Sequence, residues 1–285
     1  MRALSLAVLF IIFLPLLAFS QALDEHTALL LNFEGDSLVS EGGELAGIID
    51  HSGNDNEVLV NTQGGDPAIT GNPSGPPEVV QGKFGNALYF DGTNYLEVIT
   101  SESVEIVDQI TLEAWIKPEI LSLGADNMTI LTKDCSYYMV LRDNGFLATY
   151  FYGVEPPGYH LSAGALEAGE WSHIAITFDG SQVTLYINAK VEAEVGVGGE
   201  ILLSDCANCD DPQSIGIGCE VRLPERGAPN QRFFQGAIDE VRISNIARTA
   251  DEIKESFTNG LKMPVEPEDK LAATWGLIKS PGSSR

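Results

Sequence analysis

The residues that types and spacing fit best for chemistry in this chain are carboxylates and tyrosines. In FFQGAIDEVRIS, residues 233–244, a two-residue strand period puts Ala237, Asp239, Val241 and Ile243 on one face and Ile238, Glu240 and Arg242 on the other. Asp239 is then expected among apolar side chains. An ionised carboxylate there loses hydration worth several kcal/mol unless a cation, an arginine or backbone N–H groups replace the water. Calcium would serve, since it takes about 6–8 oxygens and accepts main-chain carbonyls. Its expected ligands are Asp239 with Glu34 and Asp36 in NFEGD and Asp50 in DHSGNDNE, where Asn54, Asp55 and Asn56 add oxygens. The competing reading gives Asp239 backbone N–H donors, or a pairing with Arg242 or Arg248.

A second acidic stretch, SDCANCDDP, holds Asp205, Asp210 and Asp211, and reads as a solvated turn ahead of a cation rim. The tyrosines lie in ATYFYGVEPPGYH: Tyr150 and Tyr152 share a strand face, Tyr159 follows, and Tyr137 or Tyr138 on the preceding strand joins them. Flat aromatic faces suit sugar rings, and the competing reading is packing between sheets. Trp115 and Trp171 read as structural.

The elements that must position these residues are strands. ALLLNFEGD reads as a strand ending in a turn. Then ALYFDG, TNYLEVI, QITLEAWIKP, MTILTKD, SYYMVLRDNG, FLATYFYG, WSHIAITFDG, SQVTLYINAK and IGIGCEV follow, punctuated by Asp-Gly, Asn-Gly or other glycine turns. This predicts an all-β sandwich, a class that suits a chain with 29 glycines and 14 prolines. One helix is expected near the end, where Thr249 and Glu252 form a capping box, Ile253 and Phe257 give an apolar stripe, and Asn259-Gly260 ends it.

Residues 1–22 have the basic start, apolar run and small residues of a secretory signal, with an uncleaved anchor as the alternative. A domain is expected over 23–260 and a tail over 261–285, in which Trp275 stands out. An exported chain sits in an oxidising compartment, so Cys135, Cys206, Cys209 and Cys219 are expected to form two disulfides, of connectivity left open. The formal charge of −25, from 41 acidic against 16 basic residues, excludes nucleic acid as a partner and favours divalent cations.

The motifs GKFGNALYFDGTNYLEV (82–98), QITLEAWIKP (109–118), EWSHIAITFDGSQVTLYINAK (170–190), SIGIG (214–218) and FFQGAIDEVRISNIARTADEI (from 233) occur in a characteristic order. By them the chain resembles the LamG-like jelly-roll family, within the concanavalin A-like lectin/glucanase superfamily that also holds laminin G domains and pentraxins. The resemblance implies two antiparallel sheets in jelly-roll topology, with calcium frequent among relatives. Asn188-Ala189-Lys190 departs from the family's Asn-Gly-Lys, so strain or a different turn is expected there.

The superfamily includes glucanases, but their Glu-x-Asp-x-x-Glu signature is absent. Asp239 and Glu240 alternate in face, and Glu102 and Glu105 fall in a loop, so no pair meets the spacing of about 5 Å that retention needs. His51, His160 and His173 stand apart from any Ser or Cys nucleophile pattern. The expectation is a secreted or extracytoplasmic, non-catalytic binding module that recognises carbohydrate and carries structural calcium. The alternatives are a module for an extracellular or cell-surface protein partner, docked through the tail, and a polysaccharide-cleaving enzyme.

Overall fold

The computed structural model describes residues 24–61, 75–121, 127–203, 214–221 and 232–261. The signal segment, the tail beyond Leu261, Cys206, Cys209, Asp205, Asp210 and Asp211 lie outside the described residues. The strands are β1 (Thr27–Leu31), β2 (Leu38–Glu41), β3 (Glu44–Ile48), β4 (Val58–Asn61), β5 (Glu78–Gln81), β6 (Asn86–Asp91), β7 (Tyr95–Val98), β8 (Ile110–Pro118), β9 (Met128–Lys133) and β10 (Tyr137–Arg142). They continue as β11 (Phe146–Phe151), β12 (Val154–Glu155), β13 (His160–Ala165), β14 (Ser172–Phe178), β15 (Gln182–Ile187), β16 (Lys190–Gly196), β17 (Gly198–Gly199), β18 (Ile215–Ile217) and β19 (Gln235–Ser244). One α-helix among the described residues, α1 (Ala250–Asn259), follows.

Two antiparallel sheets form the sandwich. One has the order β16-β15-β14-β8-β19-β6-β5, with β1 also pairing to β19, and the other runs β13-β11-β10-β9-β18-β7-β4-β3-β2. Alternation decides the core. Leu112, Ala114 and Ile116 of β8 and Ile174, Ile176 and Phe178 of β14 pack with Tyr137, Met139 and Leu141 of β10 and Leu147 and Phe151 of β11. The β14–β15 turn is held by Asp179 Oδ1, which accepts the N–H of Ser181 at 2.8 Å and of Gln182 at 2.7 Å. At the next turn Asn188 and Ala189 both take left-handed φ, 52° and 59°, so the turn keeps its shape and Ala189 bears the strain.

Strand β19 corrects the face expected for Asp239. Asp239 lies opposite Trp115 but Arg242 lies opposite Glu113, so three residue steps on β19 match two on β8. This is a β-bulge, and Glu240 within it has φ 51°. The extra residue flips the alternation: Ile238, Val241 and Ile243 enter the inter-sheet core, while Asp239 and Arg242 share the outer face with Trp115 and Glu113.

That outer face is roofed by α1, whose capping box is formed by Thr249 and Glu252. Phe257 stacks on Trp115 with ring centroids 5.5 Å apart. Beneath the helix Arg242 Nε donates to the fully buried Glu113 Oε2 at 2.9 Å, and Arg242 also reaches Ser256 Oγ at 2.8 Å. Burial pushes the Glu113 carboxyl up, but Arg242 and His173 more than offset it and hold it down at about 2. His173 is fully buried, 3.6 Å from Glu113 and packed on Trp115. Arg248 pairs with Asp24 and Glu252. Neither arginine therefore serves Asp239.

The expectation of two disulfides is corrected as well. Cys219 is a buried free thiol, which leaves at most one bridge among four cysteines. Cys135 is not free.

Candidate functional site

The outer face of the nine-stranded sheet carries the aromatic cluster. Strand alternation on β10 turns Tyr137 inward, where its hydroxyl donates to Val104 O at 3.0 Å, and turns Tyr138, Val140 and Arg142 outward. On β11, paired with β10 so that Tyr138 faces Tyr150, the same alternation turns Ala148 and Tyr150 outward, and Tyr152 follows them. Tyr159 enters just ahead of β13. Tyr150, Tyr152 and Tyr159 are partly buried and lie outside the inter-sheet core, so packing between sheets is not their role.

The ring centroids are 4.6 Å apart for Tyr150 and Tyr152, 5.3 Å for Tyr150 and Tyr159, and 5.7 Å for Tyr138 and Tyr152. These are contacts of tilted and edge-to-face rings, which leave parts of several faces toward solvent. Tyr138 is the buried base of the cluster and donates its hydroxyl to Asp134. Burial, with the charges of Glu220 and Asp134, pushes that hydroxyl far above the ordinary tyrosine range. Burial also raises Tyr152 and Tyr159, so all three remain neutral donors at physiological pH. Asn127 Nδ2 donates to Tyr159 OH at 3.0 Å, and the Arg142 guanidinium stands 4.3 Å from the Tyr159 ring centroid. Arg142 escaped the sequence reading, although it sits four residues beyond Tyr138 on one strand face.

The four carboxylates expected around a cation do not form one group. Among the described residues no three His, Cys, Asp or Glu side chains are placed to hold a metal ion. Asp50 is saturated by five donors: Leu30 N (3.0 Å), Ser52 N (2.9 Å) and Oγ (2.6 Å), and Asn56 N (3.2 Å) and Nδ2 (2.8 Å). Asp36 is exposed. Glu34 and Asp239, in contrast, flank the same tight loop, residues 82–85, closed by Gly82 N donating to Gly85 O at 2.9 Å. A Cβ at Gly82 would stand 2.6 Å from Asp239 Oδ2, and one at Gly85 would stand 2.0 Å from Glu34 Oε1, so both positions need glycine. Asp239 Oδ2 accepts the N–H of Phe84 at 3.0 Å, as one competing reading held, while Oδ1 is buried without a partner. Burial raises this carboxyl to about 8, Glu240 adds to the rise, and the loop N–H groups oppose it.

On the outer face of the other sheet, Tyr89, Lys117, Pro118, Glu119, Trp171 and Ala237 line a groove of about 400 Å³. Trp171 is thus half-buried at a surface depression, whereas Trp115 is fully inside.

A family model described as the concanavalin A-like lectin/glucanases superfamily matches residues 90–254. Pappalysin-1 of Mus musculus is 27% identical over 213 residues, covering 68% of this chain and 12% of that protein, so the chain spans about an eighth of this relative's length. Domain 4 of AbnA, a GH43 extracellular arabinanase from Geobacillus stearothermophilus, in complex with arabinotriose, superposes with a TM-score of 0.54 at 19% identity, covering 81% of this chain and 98% of that one. The binding domain of Paraclostridial Mosquitocidal Protein 1 gives 0.58 at 17% identity, with 82% and 52% covered. The ligand-binding domain of botulinum neurotoxin serotype D in complex with N-acetylneuraminic acid gives 0.51 at 16%, with 81% and 50% covered. These structures share the fold.

Proposed function

The chain belongs to the concanavalin A-like lectin/glucanases superfamily, and on that premise we propose that it is an exported, non-catalytic binding module that takes up carbohydrate on the tyrosine face of its nine-stranded sheet. The observation that carries this reading is the gathering of Tyr138, Tyr150, Tyr152 and Tyr159 into one partly exposed cluster outside the core. Sugar rings offer C–H faces to such rings and hydroxyls to the phenols around them. The arabinotriose and N-acetylneuraminic acid complexes of similarly folded domains support the ligand class. Export is supported by the basic, then apolar, first 22 residues. The non-catalytic reading is supported by the sequence, which lacks the Glu-x-Asp-x-x-Glu signature of the glucanases.

Structural calcium belongs to the proposal in a narrower form. The orphaned Asp239 Oδ1 supports a cation at this carboxylate, and Glu34, beside the same glycine loop, is the acid proposed to complete its charge balance. Asp36 and Asp50 stand outside that set.

Glycan-array screening of the secreted protein, followed by titration of the best binder, tests the reading. Tyr150→Ala and Tyr152→Ala should each weaken binding tenfold or more while leaving the melting temperature close to that of the parent. Unaltered affinity in both folded variants would remove the tyrosine face from the account. Specific capture of an extracellular protein by a chain that binds no glycan would favour the protein-partner alternative.

A further inference from the structure

We propose that the sugar recognised at the tyrosine cluster bears a carboxylate, and that Arg142 is the residue that selects it; this rests on the platform reading above. The sandwich contains four described arginines. Three are committed: Arg232 to Glu220, Arg242 to Glu113, and Arg248 to Asp24 and Glu252. Arg142 makes no ion pair with a described residue, in a chain where 41 acidic residues compete for 16 basic ones. A guanidinium with no acid partner among the described residues is open, in such an acidic protein, to a partner that arrives from outside.

Its placement adds the geometry. Arg142 leaves β10 on the face that carries Tyr138 and Val140, and its guanidinium packs 4.3 Å from the centre of the Tyr159 ring. A guanidinium held against an aromatic ring keeps its planar fork of N–H donors for a third group, and that fork matches a carboxylate in two parallel hydrogen bonds. The described acids that act on the cluster are already engaged: Glu220 is fully buried against Arg232, and Asp134 accepts from Tyr138. Arg142 is therefore the cation beside these aromatic faces that is left without an acid partner among the described residues. Asn127 donates to the Tyr159 oxygen, which leaves the phenol proton free to donate to a ligand.

The overall charge of −25 restricts the ligand further. It repels dense polyanions, so the matching chemistry is an isolated acidic sugar within a neutral glycan rather than a heavily sulfated polymer. Arg142 supplies the charge contact, and the tyrosines supply ring contacts that neutral sugars also use.

The test uses the full secreted chain on an array carrying neutral and carboxylate-bearing oligosaccharides, then calorimetric titration of the best binder and of the same glycan with its carboxyl reduced to an alcohol. Carboxylated glycans should dominate the hits, and reduction should weaken binding tenfold or more. Arg142→Gln should lose the same factor toward the carboxylated glycan and nothing toward the reduced one, with Arg142→Lys intermediate; Tyr152→Ala should weaken both. Melting temperatures verify folding of each variant. If the best binders are neutral and Arg142→Gln binds them as the parent does, the carboxylate inference is overturned while the platform reading stands. If the folded protein binds no glycan, both are overturned.

Discussion

Asp239→Asn in calcium-free protein separates the effect of a buried carboxyl from that of its cation. In the folded chain burial holds the Asp239 carboxyl at about 8, against an ordinary value of 3.8. The folded state therefore keeps a proton that the unfolded chain has released. Stability from this group is fully present below about pH 4 and is lost as pH rises through about 8, at up to about 1.4 kcal/mol per pH unit. The whole loss is on the order of 5 kcal/mol, an upper figure because water entry and loop relaxation soften it. Calcium at Glu34 and Asp239 would replace that proton and flatten the profile. Urea unfolding, followed by the fluorescence of the buried Trp115, reads this between about pH 5 and pH 8 with chelator and with millimolar calcium. The parent should lose stability with rising pH in chelator and regain it with calcium; the Asn variant should show little slope and no calcium response. A chelated parent of constant stability across that window, or an Asn variant with the parental slope, refutes the reasoning.

Further outcomes follow from the same structure. Glu113→Gln leaves Arg242 buried without its counter-charge and should cost about 3–5 kcal/mol in urea unfolding at neutral pH. Because the Glu113 carboxyl is held at about 2, against 4.5 ordinarily, its stabilisation is present above about pH 4.5 and fades as pH falls toward 2, so the parent and the variant should converge in acid. Ala189→Gly relieves a left-handed φ of 59° and should raise stability by about 1 kcal/mol, measured by the same unfolding curve. Thiol titration with an aromatic disulfide should find Cys219 unreactive in folded protein and reactive in urea, since it is fully buried and burial raises its thiol well above the ordinary range.

The strands and their faces were legible wherever alternation ran unbroken. WSHIAITFDGSQVTLYIN folds as the hairpin its period and Asp-Gly turn dictate, and Tyr150 and Tyr152 share a face because they are two residues apart. Asp239 was misplaced because a bulge at Glu240 inserts one residue with φ 51°, and no glycine or asparagine marks it. The trace left in sequence is the three-residue spacing of Ile238 and Val241 around an adjacent acid pair. Composition also misled at Asp50. An aspartate two residues before a serine closes a local turn with its own backbone, and here Ser52 and Asn56 consume the oxygens assigned to a cation. Arg142 was hidden because its significance depends on Tyr159, which lies seventeen positions later, beyond β11 and β12, and packs back on its guanidinium.

The location of a bound sugar tests the central claim most directly. In a crystal structure of the chain with its best-binding oligosaccharide, a sugar ring should lie over Tyr150, Tyr152 and Tyr159, with its polar edge toward Arg142. A glycan seated instead in the Trp171 groove, with the tyrosine face bare, would contradict the account.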